Sequence, residues 1–276
     1  MTGIRIAITQ PTITADAVEN GKTVRSLMRK AAAGRARLVQ FPEGMLSGYA
    51  KAQIADWSQV DWTTVRTELE QIMALAAELE IWVVLGSAHP LTPPHRPHNS
   101  LYVISDAGAL VDRYDKRLCS HTEITHFYTP GFDPVVFDVD GYRFGTLLCI
   151  EINFPQLFAQ YERLGVECLL LSSYGANEPF ETKAAAHAAI NCYWVSTSLP
   201  ALPDDPTPSG LITPAGLYTT QVAGQSQLAF ATIDRDDPTM NFPLHAARPW
   251  RAIATKGEIY RSRAVTDPRS TNRTAL

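Results

Sequence analysis

The chain has 276 residues, 45% hydrophobic and 19% charged, with a formal net charge of −4. That is enough chain and apolar matter for a sizeable core, and it lacks the basic excess that nucleic-acid binding needs. The apolar runs "IWVVLG" and "CLLLSS" fall far short of the roughly 20 residues of a membrane span, so no membrane partner is expected.

The N-terminus "MTGIRIAITQP" enters a strand-like run without a charged-then-apolar leader, and a cytoplasmic protein is expected. After "IRIAIT", a helix is predicted around residues 15–33, with Val24, Leu27, Met28, Ala31 and Ala32 on one stripe and Gly34 as its stop. "RLVQFPEG" reads as the next strand. A helix over about 62–79 follows, placing Val65, Leu69, Ile72, Ala76 and Leu79 at helical spacing, and "IWVVLGSA" is again a strand. "SLYVISDAGALVDRYDK" predicts a hairpin turning at Asp106-Ala107-Gly108, and "PVVFDVDGYRFGTLLCI" a second one turning near Asp140-Gly141. Then come a helix over about 155–164 ending at Gly165, the strand "VECLLLSS", a helix through "ETKAAAHAAINC" and the strand "YWVSTS". "SGLITPAGLYTTQ" and "SQLAFATID" close the sheet. Each half thus joins strand–helix–strand units to hairpins, which predicts an α/β fold of mixed sheets covered by helices. The whole chain, 1–276, reads as a single domain with a polar tail from about 251, whose Arg261, Arg263, Arg269 and Arg273 are interspersed with acids and hydroxyls.

Four cysteines, Cys119, Cys149, Cys168 and Cys192, are widely spaced with no CxxC pair. That disfavours zinc ribbons and thioredoxin-like sites and leaves thiols, one of which can be reactive. His95 and His98 lie in a Pro-rich loop (89–100) that reads as surface rather than as a metal site.

Ligands of α/β sheets bind beyond the carboxyl ends of strands. Three polar residues stand at such ends: Glu43 after "RLVQFP", Lys116 after "ALVDRYD" and Cys149 after "FGTLL". Singly they read as a loop carboxylate, a surface lysine and a small core hydrophobe. Together they read as a nucleophile, since a thiol attacks well when a base takes its proton and a cation stabilises the charge. Glu43 is the candidate base and Lys116 the candidate cation.

At these residues the chain resembles the nitrilase, or carbon–nitrogen hydrolase, superfamily, in its amidase-like branch. "FPEGMLSGY" (41–49) is similar to the family's Pro-Glu followed by Gly-Tyr, "DRYDKRL" (112–118) to its Tyr-x-Lys segment, and "GTLLCIEINFPQLF" (145–158) to its Gly-x-x-x-Cys segment with a later Phe-Pro. "TEITHFYTPG" (122–131) resembles the glutamate preceding a Pro-Gly and points to Glu123. The resemblance runs in order from "IAITQP" to about residue 234. It implies a four-layer α-β-β-α sandwich, a Glu-Lys-Cys triad and no metal or organic cofactor. It also implies a small-molecule amide as substrate and a homodimer or higher homo-oligomer. On this reading the backbone N–H of Ile150 is expected to join Lys116 in holding the oxyanion, and Glu123 is expected to orient Lys116. Tyr49, Phe127 and Tyr174, aromatic residues near the motifs, are the candidate pocket walls.

Two departures touch the pocket rather than the triad. Gln156 stands where the family often has Glu, and Ile190, Asn191 and Cys192 stand where Glu-Asn-Gln is frequent. Nitrilases commonly carry Trp-Glu after the cysteine; here Ile150 replaces the Trp and Glu151 keeps the acid, so a nitrile is the less favoured substrate. Carbamoyl-amino-acid hydrolases place arginines four and five residues past the cysteine; here Asn153 and Phe154 stand there, and neither pairs with a carboxylate as a guanidinium does. A small neutral amide is therefore the expected substrate. Two other classes are weighed against it: a catalytically silent binding protein of the same fold, and a cysteine hydrolase using a Cys-His pair with His187. His121 and His126, beside Glu123, are expected to be structural or exposed.

Overall fold

The computed structural model describes residues 3–176, 179–223 and 226–274. Two six-stranded sheets form it, in the orders β12-β1-β2-β3-β4-β5 and β11-β10-β9-β8-β7-β6. The first holds β1 (Ile4–Thr9), β2 (Leu38–Gln40), β3 (Trp82–His89), β4 (His98–Ile104), β5 (Leu110–Asp115) and β12 (Leu228–Ile233). The second holds β6 (Val136–Val139), β7 (Tyr142–Leu148), β8 (Cys168–Ser172), β9 (Trp194–Ser198), β10 (Gly210–Ile212) and β11 (Tyr218–Gln221). In each sheet three neighbouring strands run parallel, β1-β2-β3 and β7-β8-β9, and antiparallel strands flank them.

Alternation along the strands decides what each face meets. Ile6 and Ile8 of β1 and Val84 of β3 point into the core between the sheets, where the second sheet contributes Phe144, Leu148 and Leu170. Ala7, Val83 and Leu85 point the other way, against α1 (Ala17–Ala33) and α2 (Trp62–Leu79) through Val24, Leu27, Met28, Val65 and Ile72. On the far side α3 (Pro155–Arg163) and α4 (Phe180–Asn191) cover the second sheet with Leu157, Phe158, Ala184 and Ala188. The layers are α-β-β-α, as the resemblance implied. The carboxylates of Asp16 and Asp61 cap α1 and α2, accepting from the free N–H groups of Val18 and Glu19, and of Thr63 and Thr64.

Two differences from the sequence reading concern the strands. The strand read through "RLVQFPEG" pairs only over Leu38–Gln40, because Pro42 has no N–H to continue the ladder. The last two segments do not close one sheet: β11 ends the second sheet, whereas β12 returns to the first and pairs with β1, Ile233 opposite Ile4. The C-terminal segment carries short helices, α5 (Arg248–Lys256), α6 (Glu258–Arg261) and α7 (Pro268–Thr271), with Ile253, Tyr260 and Val265 exposed. No helix among the described residues is long and apolar enough to cross a membrane.

A polar seam crosses the core where the parallel strands end. The Gln40 amide donates to Ser172 Oγ (3.2 Å) and accepts from Ser196 Oγ (2.6 Å). Ser172 Oγ donates to the Phe41 carbonyl (2.8 Å), and Ser198 Oγ to that of Thr9 (2.8 Å). Each bond contributes about 1 kcal/mol net, but a broken one strands a buried polar group, so the seam locks one sheet in register on the other. The residues that follow these strand ends, Glu43 and Tyr174 among them, inherit that register.

Candidate active site

Glu43, Lys116 and Glu123 come from three separate segments and meet in the interior, each at most 1% exposed. The reading of Lys116 as a surface lysine therefore fails for this chain. Its ammonium donates to Glu43 Oε1 at 2.8 Å and to Glu123 Oε1 at 2.8 Å. Burial alone would drive Lys116 toward its neutral form, but its acidic neighbours, the Glu43 and Glu123 carboxylates foremost, outweigh it and raise its pKa well above the usual lysine value.

Each carboxylate is held from behind. Glu43 Oε1 also accepts from Asn99 Nδ2 (2.7 Å), and its Oε2 from the Tyr174 N–H (2.8 Å). Glu123 opens a π-helical turn (Glu123–Phe127), its Oε2 accepting from the Ser120 N–H (2.7 Å) while Ser120 Oγ accepts from the Glu123 N–H (3.3 Å). This is the reciprocal pattern of a capping box. Burial pushes the Glu123 carboxyl up, yet Lys116 and Ser120 together hold it below the ordinary range.

Cys149 ends β7 with φ 47°, left-handed backbone that a non-glycine residue adopts only at a cost of about 1–3 kcal/mol. It opens a 3-10 turn (Cys149–Asn153), so the chain changes direction at the cysteine, a residue of intermediate exposure. Burial and the charge of Glu43 push the thiol up to about 12, while Lys116 and a hydrogen bond with Ser173 pull the other way. The resting group is a neutral thiol, so a base must take its proton as it attacks.

Of the three aromatic candidates, two lie at the cluster. Tyr49 donates from its hydroxyl to Glu123 Oε1 (3.0 Å) and stacks on Tyr174 with ring centroids 4.2 Å apart. Phe127 packs one step away with Ala50, Ala88 and Tyr128, its carbonyl accepting from Trp57 Nε1 at 2.7 Å. His187 is a satisfied core histidine: its Nε2 meets the Ile152 carbonyl (2.9 Å) and its ring stacks on Phe158 at 3.6 Å. His121 and His126 are exposed, Cys168 and Cys192 are buried, and Cys119 is partly buried with its thiol pushed up to about 12 by burial. His98 is taken up by the Thr129 carbonyl (2.8 Å).

Sequence reasoning missed Asn99, Ser120 and Ser173. Ser120 had a signal, since S-x-x-E at 120–123 is a capping-box pattern ahead of the turn. Asn99 had none, because its partners are Glu43 through the side chain and the Lys116 N–H through the carbonyl (2.8 Å), both remote in sequence.

Gly86 of β3 underlies this arrangement. A Cβ there would lie 2.9 Å from Glu43 Cα and Gly44 N, and against the Pro42 carbonyl. Gly86→Ala is expected to cost about 1–3 kcal/mol of stability by overpacking. It should also lower kcat, on the order of 100-fold if Glu43 moves by 1 Å. Thermal unfolding and turnover of the same preparation check both; unchanged turnover would show that Glu43 tolerates displacement.

Residues 5–199 match the family model described as carbon-nitrogen hydrolase. A hydrolase of Mycobacterium tuberculosis is 27% identical over 266 residues, covering 85% of this chain and 90% of that protein. The omega-amidase NIT2 of Homo sapiens is 23% identical over 253 residues, with 85% and 90% covered. Among solved structures, an amidase from Nesterenkonia sp. superposes with a TM-score of 0.78 at 20% identity, over 92% of this chain and 97% of that one. Mutants of that amidase have been solved with butyramide, with acrylamide, and with the acetamide moiety of fluoroacetamide added covalently to the active-site cysteine.

Proposed function

The chain belongs to the carbon–nitrogen hydrolase family, and we propose that it hydrolyses a small neutral amide to a carboxylic acid and ammonia through a Cys149 thioester. The observation that carries this is the buried Lys116 ammonium held between Glu43 and Glu123 beside a neutral thiol on a strained turn. Glu43 takes the thiol proton as sulfur attacks the carbonyl carbon. Lys116 and the Ile150 N–H receive the oxyanion. Glu43 then returns the proton to the departing nitrogen, and ammonia leaves. Water, deprotonated by Glu43, attacks the thioester and frees the acid. Glu123 keeps Lys116 charged and aimed. The short amides bound by the Nesterenkonia amidase support an acyl group of this size.

A second reading, an amide carrying a distant carboxylate, is favoured by one contact. Lys183 Nζ of α4 reaches Asn153 Oδ1 at 2.7 Å, four residues past the nucleophile, and brings a cation to a position where the sequence alone shows none. An ammonia-release screen over aliphatic amides, ω-amides, nitriles and N-carbamoyl amino acids, with Cys149→Ala as the blank, separates the two. Turnover of nitriles alone, or a clear preference for carbamoyl amino acids, would overturn both. No ammonia from any substrate would leave the silent binding protein.

The Cys-His alternative has its own test. Glu43→Gln is expected to lower kcat by on the order of 100-fold to 10,000-fold. His187→Ala should keep kcat within a fewfold while costing about 2–4 kcal/mol of stability, because it empties a stacked core position. The reverse pattern in steady-state kinetics would transfer the base to His187.

A further inference from the structure

We propose that Glu151 is a positioning residue for this reaction: its buried carboxylate ties the segment carrying Lys116 to the turn carrying Cys149, and so sets the ammonium against the thiol. The inference rests on the reading of Cys149 and Lys116 as the reacting pair. The two residues belong to different sheets. Lys116 follows β5, at the edge of the first sheet, and Cys149 follows β7, next to the edge of the second. No strand pairing fixes one against the other.

Glu151 does so through side-chain bonds. It is fully buried in the turn that Cys149 opens. Oε2 accepts from the Leu148 N–H at 2.8 Å, on the residue before the cysteine. Oε1 accepts from the N–H groups of Arg117 (2.9 Å) and Leu118 (3.1 Å), the two residues after the lysine. The Tyr114 hydroxyl, two residues before the lysine, lies 2.8 Å from both oxygens. The carboxylate thus brackets Lys116 on both sides and grips the strand end at Cys149.

A buried carboxylate is an expensive clamp, costing several kcal/mol before its bonds are counted. It is justified where planar acceptors must face donors from two directions at once. All its hydrogen-bond partners are donors, so an amide in its place would set its NH2 against N–H groups. The Arg117 guanidinium, tied to Gln160 Oε1 (2.8 Å) and lying over the Tyr114 ring, supplies the nearby positive charge. Burial raises the Glu151 carboxyl, against the pull of the Leu148 and Leu118 N–H groups, Tyr114 and Lys116.

The test compares wild type with Glu151→Gln, Glu151→Asp and Tyr114→Phe. Tyr193→Phe is the control, since it removes a buried hydroxyl bonded to the Phe158 carbonyl on the other side of the second sheet. Three quantities are read: Tm, kcat and KM on a turned-over amide, and the pH profile of Cys149 alkylation by iodoacetamide, followed by peptide mapping. Glu151→Gln is expected to lower kcat about 100-fold with KM little changed. It should also move the alkylation profile to higher pH, because the thiolate loses its cation. Glu151→Asp should recover part of both. Tyr114→Phe removes a single donor and should give a smaller effect in the same direction, and it carries the test if the Glu151 variants do not fold. Tyr193→Phe should lower Tm comparably to Tyr114→Phe and leave the profile in place. If the Glu151 or Tyr114 variants lower Tm but leave kcat and the profile as in the control, the carboxylate is only structural and the proposal falls. The alkylation readout needs no substrate. Wild type that hydrolyses no amide would therefore sink the amidase reading and leave the clamp to be judged on the profile.

Discussion

Cys149→Ala is expected to reduce amide hydrolysis by on the order of 10,000-fold or more, to the blank rate, because the proposed thioester forms on the Cys149 sulfur. A left-handed residue at the end of a buried strand is retained only where the surrounding structure pays for the strain, and here it sets a thiol beside a buried ion cluster. The loss must be in chemistry and not in folding. Alanine meets the same backbone cost and removes a single sulfur, so Tm should change little. Wild type should be labelled by a mild alkylating agent at Cys149, with activity lost at the same rate, and the variant should not be labelled there. Preferential labelling of Cys119 or Cys168, tracking the loss of activity, would move the nucleophile elsewhere.

Lys116→Ala should lose both activity and stability. Removing a cation aimed at the developing oxyanion costs on the order of 100-fold to 1,000-fold in kcat. The stability loss is expected at about 3–5 kcal/mol near neutral pH, since Glu43 and Glu123 are left buried without their shared counter-charge. The pH dependence follows from Glu123. Lys116 and Ser120 hold its carboxyl below the ordinary carboxyl range in the folded wild type. A depressed carboxyl contributes stability that is present above its unfolded pKa and lost as pH falls through the folded one. The difference between wild type and variant should therefore be widest at neutral pH and shrink below about pH 4.5 as the Glu123 carboxyl protonates. Denaturant unfolding at several pH values measures it. A pH-independent gap would mean that Lys116 acts through packing and not through charge.

The elements were legible because their periods are local. Val24, Leu27, Met28 and Ala31 declare a helix by spacing alone, and they are the residues that α1 buries. Both hairpin turns, at Asp106-Ala107-Gly108 and Asp140-Gly141, could be read because each lies between the strands it joins. The return of β12 to β1 could not. Its pairing spans the whole chain, and nothing in "SQLAFATID" distinguishes an edge of one sheet from an edge of the other.

The same division runs through the site. Residue type and strand-end position marked Glu43, Lys116 and Cys149, and similarity of the surrounding segments marked Glu123, since each is written into a short contiguous stretch. That Lys116 is wholly buried, that it is shared between two carboxylates, and that Asn99 and Tyr174 hold Glu43 from behind were decided by the stacking of one sheet on the other. Glu151 shows the boundary most clearly. In sequence it is an acid two residues past a cysteine; in the fold its two oxygens face the strand end before Cys149 and the loop after Lys116. A sequence specifies which groups are available and the local backbone they ride on. Charge, burial and hydrogen-bond geometry depend on what arrives from a distance, and only the packed tertiary structure supplies that.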